Sequence, residues 1–331
     1  MACRIEEAYN QLIIHSDADG LSAAGQISEL NEAYLDYVAG MASRGDRRRA
    51  LLGRYFAPAE DLPFLEGFCC AGQLPAEGGS ALWVMFSDDD NLIYTPIMYD
   101  RSGAGTAGNT LSVFKEYSGI LADAGLTLCD NCVRTWCYVE DIDDNYKDFY
   151  KTRTSYFADH GLTPETHYIA STGIAGTMPA GCGKVGLDAL AVKNPVKADI
   201  KYLKGSSNLG RTDAYGVTFE RGTTLMMDGL RTALISGTAS IDTAGNVLHV
   251  GDIEAQTLRS WENVEVLLNE AGMSYDDVTV MIIYLRNRED AGAVHRLYDA
   301  RFGDRIPKVF LHAPICRPAW LMETECVAVK R

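Results

Sequence analysis

The stretch Leu267-Leu268-Asn269-Glu270-Ala271-Gly272-Met273 repeats, with conservative changes, the earlier stretch Ile120-Leu121-Ala122-Asp123-Ala124-Gly125-Leu126. Internal self-similarity is worth seeking before any local reading, because it fixes how many times one architecture occurs. Working outward, each copy leads into a polar turn with an aspartate (Asp130, Asp277) and then a β-rich run, Val133 to Val139 or Val280 to Leu285. Tyr138 falls on Tyr284. Both runs end in charged residues, and both are followed by an amphipathic segment closing on Tyr156-Phe157 or Arg301-Phe302. The two halves finish alike, Val185 to Val192 against Leu321 to Val329, on a shared Ala-Val.

Apolar spacing at three and four (Val113, Tyr117, Ile120, Leu121; Trp261, Val264, Leu267, Leu268) predicts a helix before each β run. Enrichment in β-branched and aromatic residues predicts strands over 279–285, 308–313 and 320–329. Thr232 to Ile241 and Val247 to Val250 read as a hairpin across 243–246. The pattern predicts an α+β fold built twice, each unit a sheet with helices on one face. Asn194-Pro195 sets the boundary between units 1–194 and 195–331, the first degenerate. In the first hundred residues only Leu12 to Ile14, Leu82 to Phe86 and Leu92 to Met98 read as strands.

The 331 residues hold 30 Lys+Arg against 45 Asp+Glu, a net charge of −15. Such a chain repels phosphate backbones, and Arg47-Arg48-Arg49 is its only basic run, so nucleic-acid binding is not expected. No apolar run approaches the roughly 18 residues a membrane helix needs. The start lacks a signal-peptide pattern, and nine cysteines, an odd number, read as reduced thiols; a cytoplasmic protein is expected.

Gly103-Ala104-Gly105-Thr106-Ala107-Gly108 matches the dinucleotide fingerprint in form. That fingerprint needs an acidic residue about 20 positions on at the end of the next strand. Here that strand ends later, at Glu140, which favours a plain Gly-rich loop opening a helix. Gly176 to Lys184 fails as a phosphate loop because Val185 stands where Ser or Thr must bind magnesium. Cys129-Asp130-Asn131-Cys132 has no second ligand pair for zinc, and His167, His249, His295 and His312 are scattered. No metal and no cofactor are expected.

The C-terminal strand carries the chemistry. Glu323 and Glu325 share one face of an extended run beside Trp320 and Leu321. A carboxyl buried there is costly when charged, and its pKa rises towards the range useful to a general acid. Aligning the repeat ends puts Gly186 opposite Glu323 and Asp188 opposite Glu325, so the first half lacks the carboxyl that Glu323 supplies.

Ser236 to Ser240, Gly251-Asp252 with Gln256-Thr257, Asn263, Ala271-Gly272, Tyr284-Leu285 and Glu323 to Ala328 together resemble the RidA (YjgF) domain over residues 228–331. Thr135 to Asp144, Tyr156-Phe157, Thr166 to Ile174, Asp213 to Val217, Ile315 to Pro318 and Trp320-Leu321 extend the likeness to the two-domain chorismatases over residues 110–331. The resemblance implies two tandem RidA-like (chorismate-mutase-like) domains, a homotrimer and a site at a domain junction. It also implies hydrolysis of the enol ether of chorismate or a related compound to release pyruvate. By that likeness Glu323 is the acid, Cys316 a pocket-lining residue that tunes the outcome, and Ala239 a substrate contact. A small carboxylate substrate in so acidic a chain needs cationic clamps. The candidates are Arg153, Arg211, Arg221, Lys308 and Arg317, while Tyr215 either binds a ring hydroxyl or caps the core. Simple RidA enzymes carry an arginine where Lys308 stands, and lysine loses the bidentate fork. RidA-type enamine/imine deamination and non-catalytic carboxylate binding are the alternative readings; endoribonuclease activity fits poorly with the charge.

Overall fold

The computed structural model describes residues 3–16, 20–58, 65 and 67–330. Three sheets form in chain order. The first contains β1 (Arg4–Ala8), β2 (Gln11–Ser16), β3 (Arg49–Phe56) and β4 (Cys69–Cys70). After the short β5 (Leu74–Pro75) it closes with β6 (Ser80–Ser87), and α1 (Ala23–Ser43) joins β2 to β3. The second comprises β7 (Leu92–Tyr99), α2 (Gly105–Asp123), α3 (Leu128–Asn131), β8 (Cys132–Val139), α4 (Ile142–Asp159), β9 (Ala170–Ala175) and β10 (Val185–Val192). The third begins with α5 (Pro195–Ala198), β11 (Lys201–Leu203), β12 (Gly222–Met227) and β13 (Leu230–Ala239). It continues with α6 (Ile253–Glu270), β14 (Val278–Leu285), α7 (Ala291–Arg301), β15 (Lys308–His312) and β16 (Met322–Lys330).

The strand orders are β1-β2-β6-β3-β4, β7-β10-β8-β9 and β11-β12-β13-β16-β14-β15-β5. Each sheet contains the same four-strand module. Its last strand lies antiparallel between its first and second, and its third lies parallel to the second. The tandem α+β domains expected from the repeat are present, and the module also occurs in residues 4–87, where the sequence was least legible.

The repeated Ala-Gly pair has a local cause. Gly125 and Gly272 follow the last turns of α2 and α6 with φ of +73° and +72°, a left-handed cap that favours glycine. At the other end of α6, the Asp252 side chain accepts the Ala255 N–H. Trp261, Val264, Leu267 and Leu268 then form one buried stripe. α1, α2 and α6 each pack on the first and last strands of their own module. The opposite sheet faces converge on a common core that includes Trp83, Trp136 and Ile282. Trp83 and Trp136 meet edge to face, with centroids 6.3 Å apart. β8, β10 and β14 are buried along their whole length, which explains their nearly continuous apolar character.

The expected hairpin is corrected. β13 forms, but 247–250 is no strand and only Val247 bridges back, to Ile241. His249 and Gly251 take φ of +56° and +81° as the chain turns into α6, which no strand accommodates. The candidate strands at Leu12 to Ile14, Leu82 to Phe86 and Leu92 to Met98 lie within β2, β6 and β7. No described helix is long and apolar enough to cross a membrane.

Candidate active site

The module's antiparallel register tests the alignment of the two halves. Glu323 pairs with Tyr284 as Gly186 pairs with Tyr138, and Glu325 pairs with Ile282 as Asp188 pairs with Trp136. Both glutamates point between sheets rather than to solvent, at 6% and 3% exposure.

Glu325 is the deeper of the two. It forms an ion pair with Arg134 of β8 at 2.8 Å and accepts hydrogen bonds from Trp136 Nε1 at 3.0 Å and Thr172 Oγ1 at 2.5 Å. The third sheet is thereby locked to the second. Glu323, one pleat nearer the surface, has no hydrogen bond among the described residues and opens into a cavity. Burial pushes its carboxyl up to about 8, and the Glu325 carboxylate pushes the same way against Arg134 and Arg221. Near neutrality Glu323 therefore holds its proton.

Both sheets and α4 build the walls. Tyr146 and Arg153 lie seven residues apart on α4, two turns and hence one face. Ser171 and Gly173 alternate along β9 on the face turned to the cavity. Tyr215, Arg221, Gly237 and Ala239 come from the third unit, as do Cys316, Arg317 and Trp320 from the segment before β16.

The cations are held without neutralisation. Arg153 is 2% exposed and forms no ion pair among the described residues. Its Nε lacks a hydrogen-bond partner, and Phe149 and Phe157 flank it at 5.0 and 5.8 Å. Arg221, 4% exposed, donates to Tyr215 Oη at 2.5 Å and to the Gly210 carbonyl at 3.2 Å, and lies 5.2 Å from the Phe219 ring centroid. Burial lowers its pKa. Arg317 donates to the Gly245 carbonyl at 2.8 Å and lies against Tyr215 and Trp320. Buried guanidinium groups without carboxylate partners are costly, and a bound anion offsets that cost. The Cys316 thiol, pushed up to about 12 by burial and then by Glu323, is a neutral contact rather than a nucleophile.

Gly237 sets the geometry at the acid. The β13–β16 pairing slips between Ile235 and Thr238, a bulge that turns the Gly237 amide to Thr172 Oγ1 at 2.9 Å. A Cβ on Gly237 would lie 1.8 Å from Glu323 Oε1. The carboxyl occupies the space a side chain would fill.

The structure thus brings together Glu323, Cys316, Arg317, Arg153, Arg221, Tyr215 and Ala239 of the sequence-predicted residues. It separates two others. Arg211 pairs with its near neighbour Asp213 at 2.9 Å, in an adjoining cleft that shares only Phe219 and Arg221 with the cavity. Lys308 starts β15, at the junction with the first sheet, because the third strand of each module faces the next sheet round. Tyr215 accepts a hydrogen bond from Arg221 and lines the wall. Tyr146, Ser171, Gly173 and Gly237 were not singled out from sequence. The seven-residue spacing from Arg153 was a usable signal for Tyr146; the bulge at Gly237 left none. Among the described residues no cluster of three or more His, Cys, Asp or Glu could hold a metal ion.

The Endoribonuclease L-PSP family model matches residues 226–330. A RutC family protein of Pyrococcus abyssi is 32% identical over 97 residues, 29% of this chain and 76% of that relative. The chain belongs to the RidA (YjgF) superfamily. Among solved structures, a YjgF family member from Neisseria meningitidis is similar at 23% identity, covering 41% of this chain and 98% of that one with a TM-score of 0.32. The crystal structure of a chorismatase matches the whole fold with a TM-score of 0.66 at 20% identity, covering 98% of this chain and 97% of that chain. The tandem RidA-like architecture is therefore shared with a chorismatase.

Proposed function

We propose that the cavity hydrolyses the enol ether of chorismate or a related enolpyruvyl dicarboxylate, with Glu323 as general acid and then general base. The observation that carries this reading is a carboxyl held up to about 8 that lines one cavity with Arg153, Arg221 and Arg317. Enol ethers are cleaved by protonation at carbon, which needs a protonated acid that is not spent on a hydrogen bond. The Glu323 proton passes to the terminal methylene, and the ether carbon becomes an oxocarbenium ion. Water adds there and returns a proton to Glu323. The resulting hemiketal collapses to pyruvate and the ring alcohol. The net change is one water consumed, with Glu323 restored.

The two carboxylates of such a substrate supply the counter-charges that Arg153 and Arg221 lack, as charge-assisted hydrogen bonds in a dry site. The low-dielectric wall of Trp320, Phe219 and Ile241 strengthens those bonds and keeps Glu323 protonated. The test is incubation of purified protein with chorismate and assay for pyruvate. Release that disappears in Glu323→Gln is expected. No release from the native protein, or full activity in Glu323→Gln, refutes the reading. Ammonia release from a dehydratase-generated imine in place of pyruvate would move the assignment to RidA-type deamination.

A further inference from the structure

Three modules meeting around one core create three repeat-related junctions, and only one holds Glu323. At the junction of the first and second sheets, Gly186 takes the place of Glu323. That junction is filled: a Cβ on Gly186 would come within 2.8 Å of Ile97 and 3.0 Å of Met178. At the junction of the third sheet with the first, Ala81 pairs with His15 on β2 as Glu323 pairs with Ala239 on β13. This junction is open, with a cleft of about 840 Å³ lined by Arg4, His15, His295 and Lys308. It contains no acid at the catalytic position.

Three polar groups there make no side-chain hydrogen bond at the cleft among the described residues. The Lys308 side chain is 8% exposed, and its ammonium has no hydrogen bond among the described residues. Its nearest carboxylate oxygen, on the fully exposed Asp304, is 3.6 Å away. The Tyr298 ring lies beneath it at 5.0 Å. Among the described residues the buried Nε2 atoms of His15 and His295 have no hydrogen-bond partner; Glu6 lies 3.7 Å from the first, and the exposed Glu77 lies 2.9 Å from the second without hydrogen-bond geometry. The His295 ring stacks on Phe310 with centroids 3.7 Å apart, which fixes its position. Burial, then Arg4, with a smaller contribution from Lys308, pushes His15 down to about 3. A bound anion would supply acceptors for the ammonium and for the two imidazole nitrogens.

We propose that this third junction is a second binding site, taking a small molecule through one oxyanion head group, carboxylate or phosphate, held by Lys308 between the rings of His15 and His295. It binds without chemistry. The proposal is independent of the reaction assigned to Glu323. The test is titration of protein carrying ¹⁵N-labelled histidine with inorganic phosphate and, separately, with acetate, at constant ionic strength set with chloride. The chain has six histidines, so four imidazoles serve as internal controls. Saturable movement of the His15 and His295 resonances alone is expected, and the anion that saturates at lower concentration identifies the head group. Lys308→Met should weaken that affinity by about tenfold or more and Lys308→Arg should recover most of it, while Glu323→Gln leaves it unchanged. Unmoved control imidazoles in Lys308→Met establish that the variant is folded. Linear, non-saturating shifts with both anions, equal movement of all six rings, or unchanged affinity in folded Lys308→Met would overturn the proposal.

Discussion

Replacing Gly237 with alanine adds one methyl group at the point where the structure leaves least room. The new Cβ would stand 1.8 Å from Glu323 Oε1, 2.7 Å from its Cδ and 3.1 Å from Thr172 Cγ2. Gly237 is not among the glycines with positive φ, so alanine suits the backbone and the perturbation is steric. Thr172 is tied to Glu325 and to the Gly237 amide and has little freedom to yield. Glu323 must therefore swing out of its position, at a strain of roughly 1–3 kcal/mol typical of overpacked sites. That strain lowers the melting temperature by several degrees in a chain of this size. The effect on turnover is larger, because an acid displaced by about 1 Å costs on the order of 10²-fold in rate. Pyruvate release under saturating substrate, read beside a thermal melt, separates the two effects. Expected is a folded variant with turnover reduced about a hundredfold. Native turnover in Gly237→Ala would refute the reasoning, since the acid would then not need the position that the bulge reserves for it.

The pH profile follows from the same carboxyl: the acid form is required, so kcat/KM should hold steady below neutrality and fall as pH rises through about 8. For stability the sign runs the same way. A carboxyl raised from 4.5 to about 8 by folding favours the folded state fully below pH 4.5, and that contribution is lost as pH climbs towards 8. Glu323→Gln should thus be inactive yet more stable than the native protein at pH 9, by up to about 5 kcal/mol, and no gain in urea melts would count against a buried acid. Arg153→Met should raise KM roughly tenfold to a hundredfold with a melting temperature unchanged or higher, because this guanidinium has no ion pair to lose; steady-state kinetics beside calorimetry would reveal the opposite pattern if its role were structural. Glu325→Gln removes one partner of a buried pair and should cost about 3–5 kcal/mol in urea denaturation, whereas a loss below about 1 kcal/mol would show that Arg134 finds water or another acceptor.

How much of this was readable in the chain depended on the range of the interaction. Glu323 stood out because a carboxyl in an apolar strand is anomalous within a few residues, and the sister half lacked it. Arg153, Arg221 and Arg317 were nominated by charge need alone, a criterion that could not separate them from Arg211 and Lys308. What separates them is which sheet faces which, a relation between strands over a hundred residues apart that no local spacing encodes. Arg211 is spent on Asp213, two residues away, while Lys308 faces the first sheet across the opposite junction. The module in residues 4–87 left little signal in the sequence because β4 is only two residues long. Arg54 gave no hint that it would be fully buried against Asp188 at 2.6 Å, a pair joining the first sheet to the second as Arg134 and Glu325 join the second to the third.

That pairing also explains why one junction of three carries a free acid. Along the last strand of each module, two same-face positions matter: an inner one at Trp83, Asp188 or Glu325, and an outer one at Ala81, Gly186 or Glu323. A carboxylate at the inner position is satisfied by an arginine from the neighbouring sheet and serves to join the two. Only where the inner position already holds such a charge, and the outer one adds a second carboxyl, do burial and like-charge repulsion act together on one group. Asp188 lacks an outer partner because Gly186 has no side chain, and Trp83 removes the inner charge altogether. The raised carboxyl at Glu323 therefore depends on the doublet with Glu325 as well as on burial. Glu325 is fixed by three hydrogen bonds so that Glu323 can remain without any.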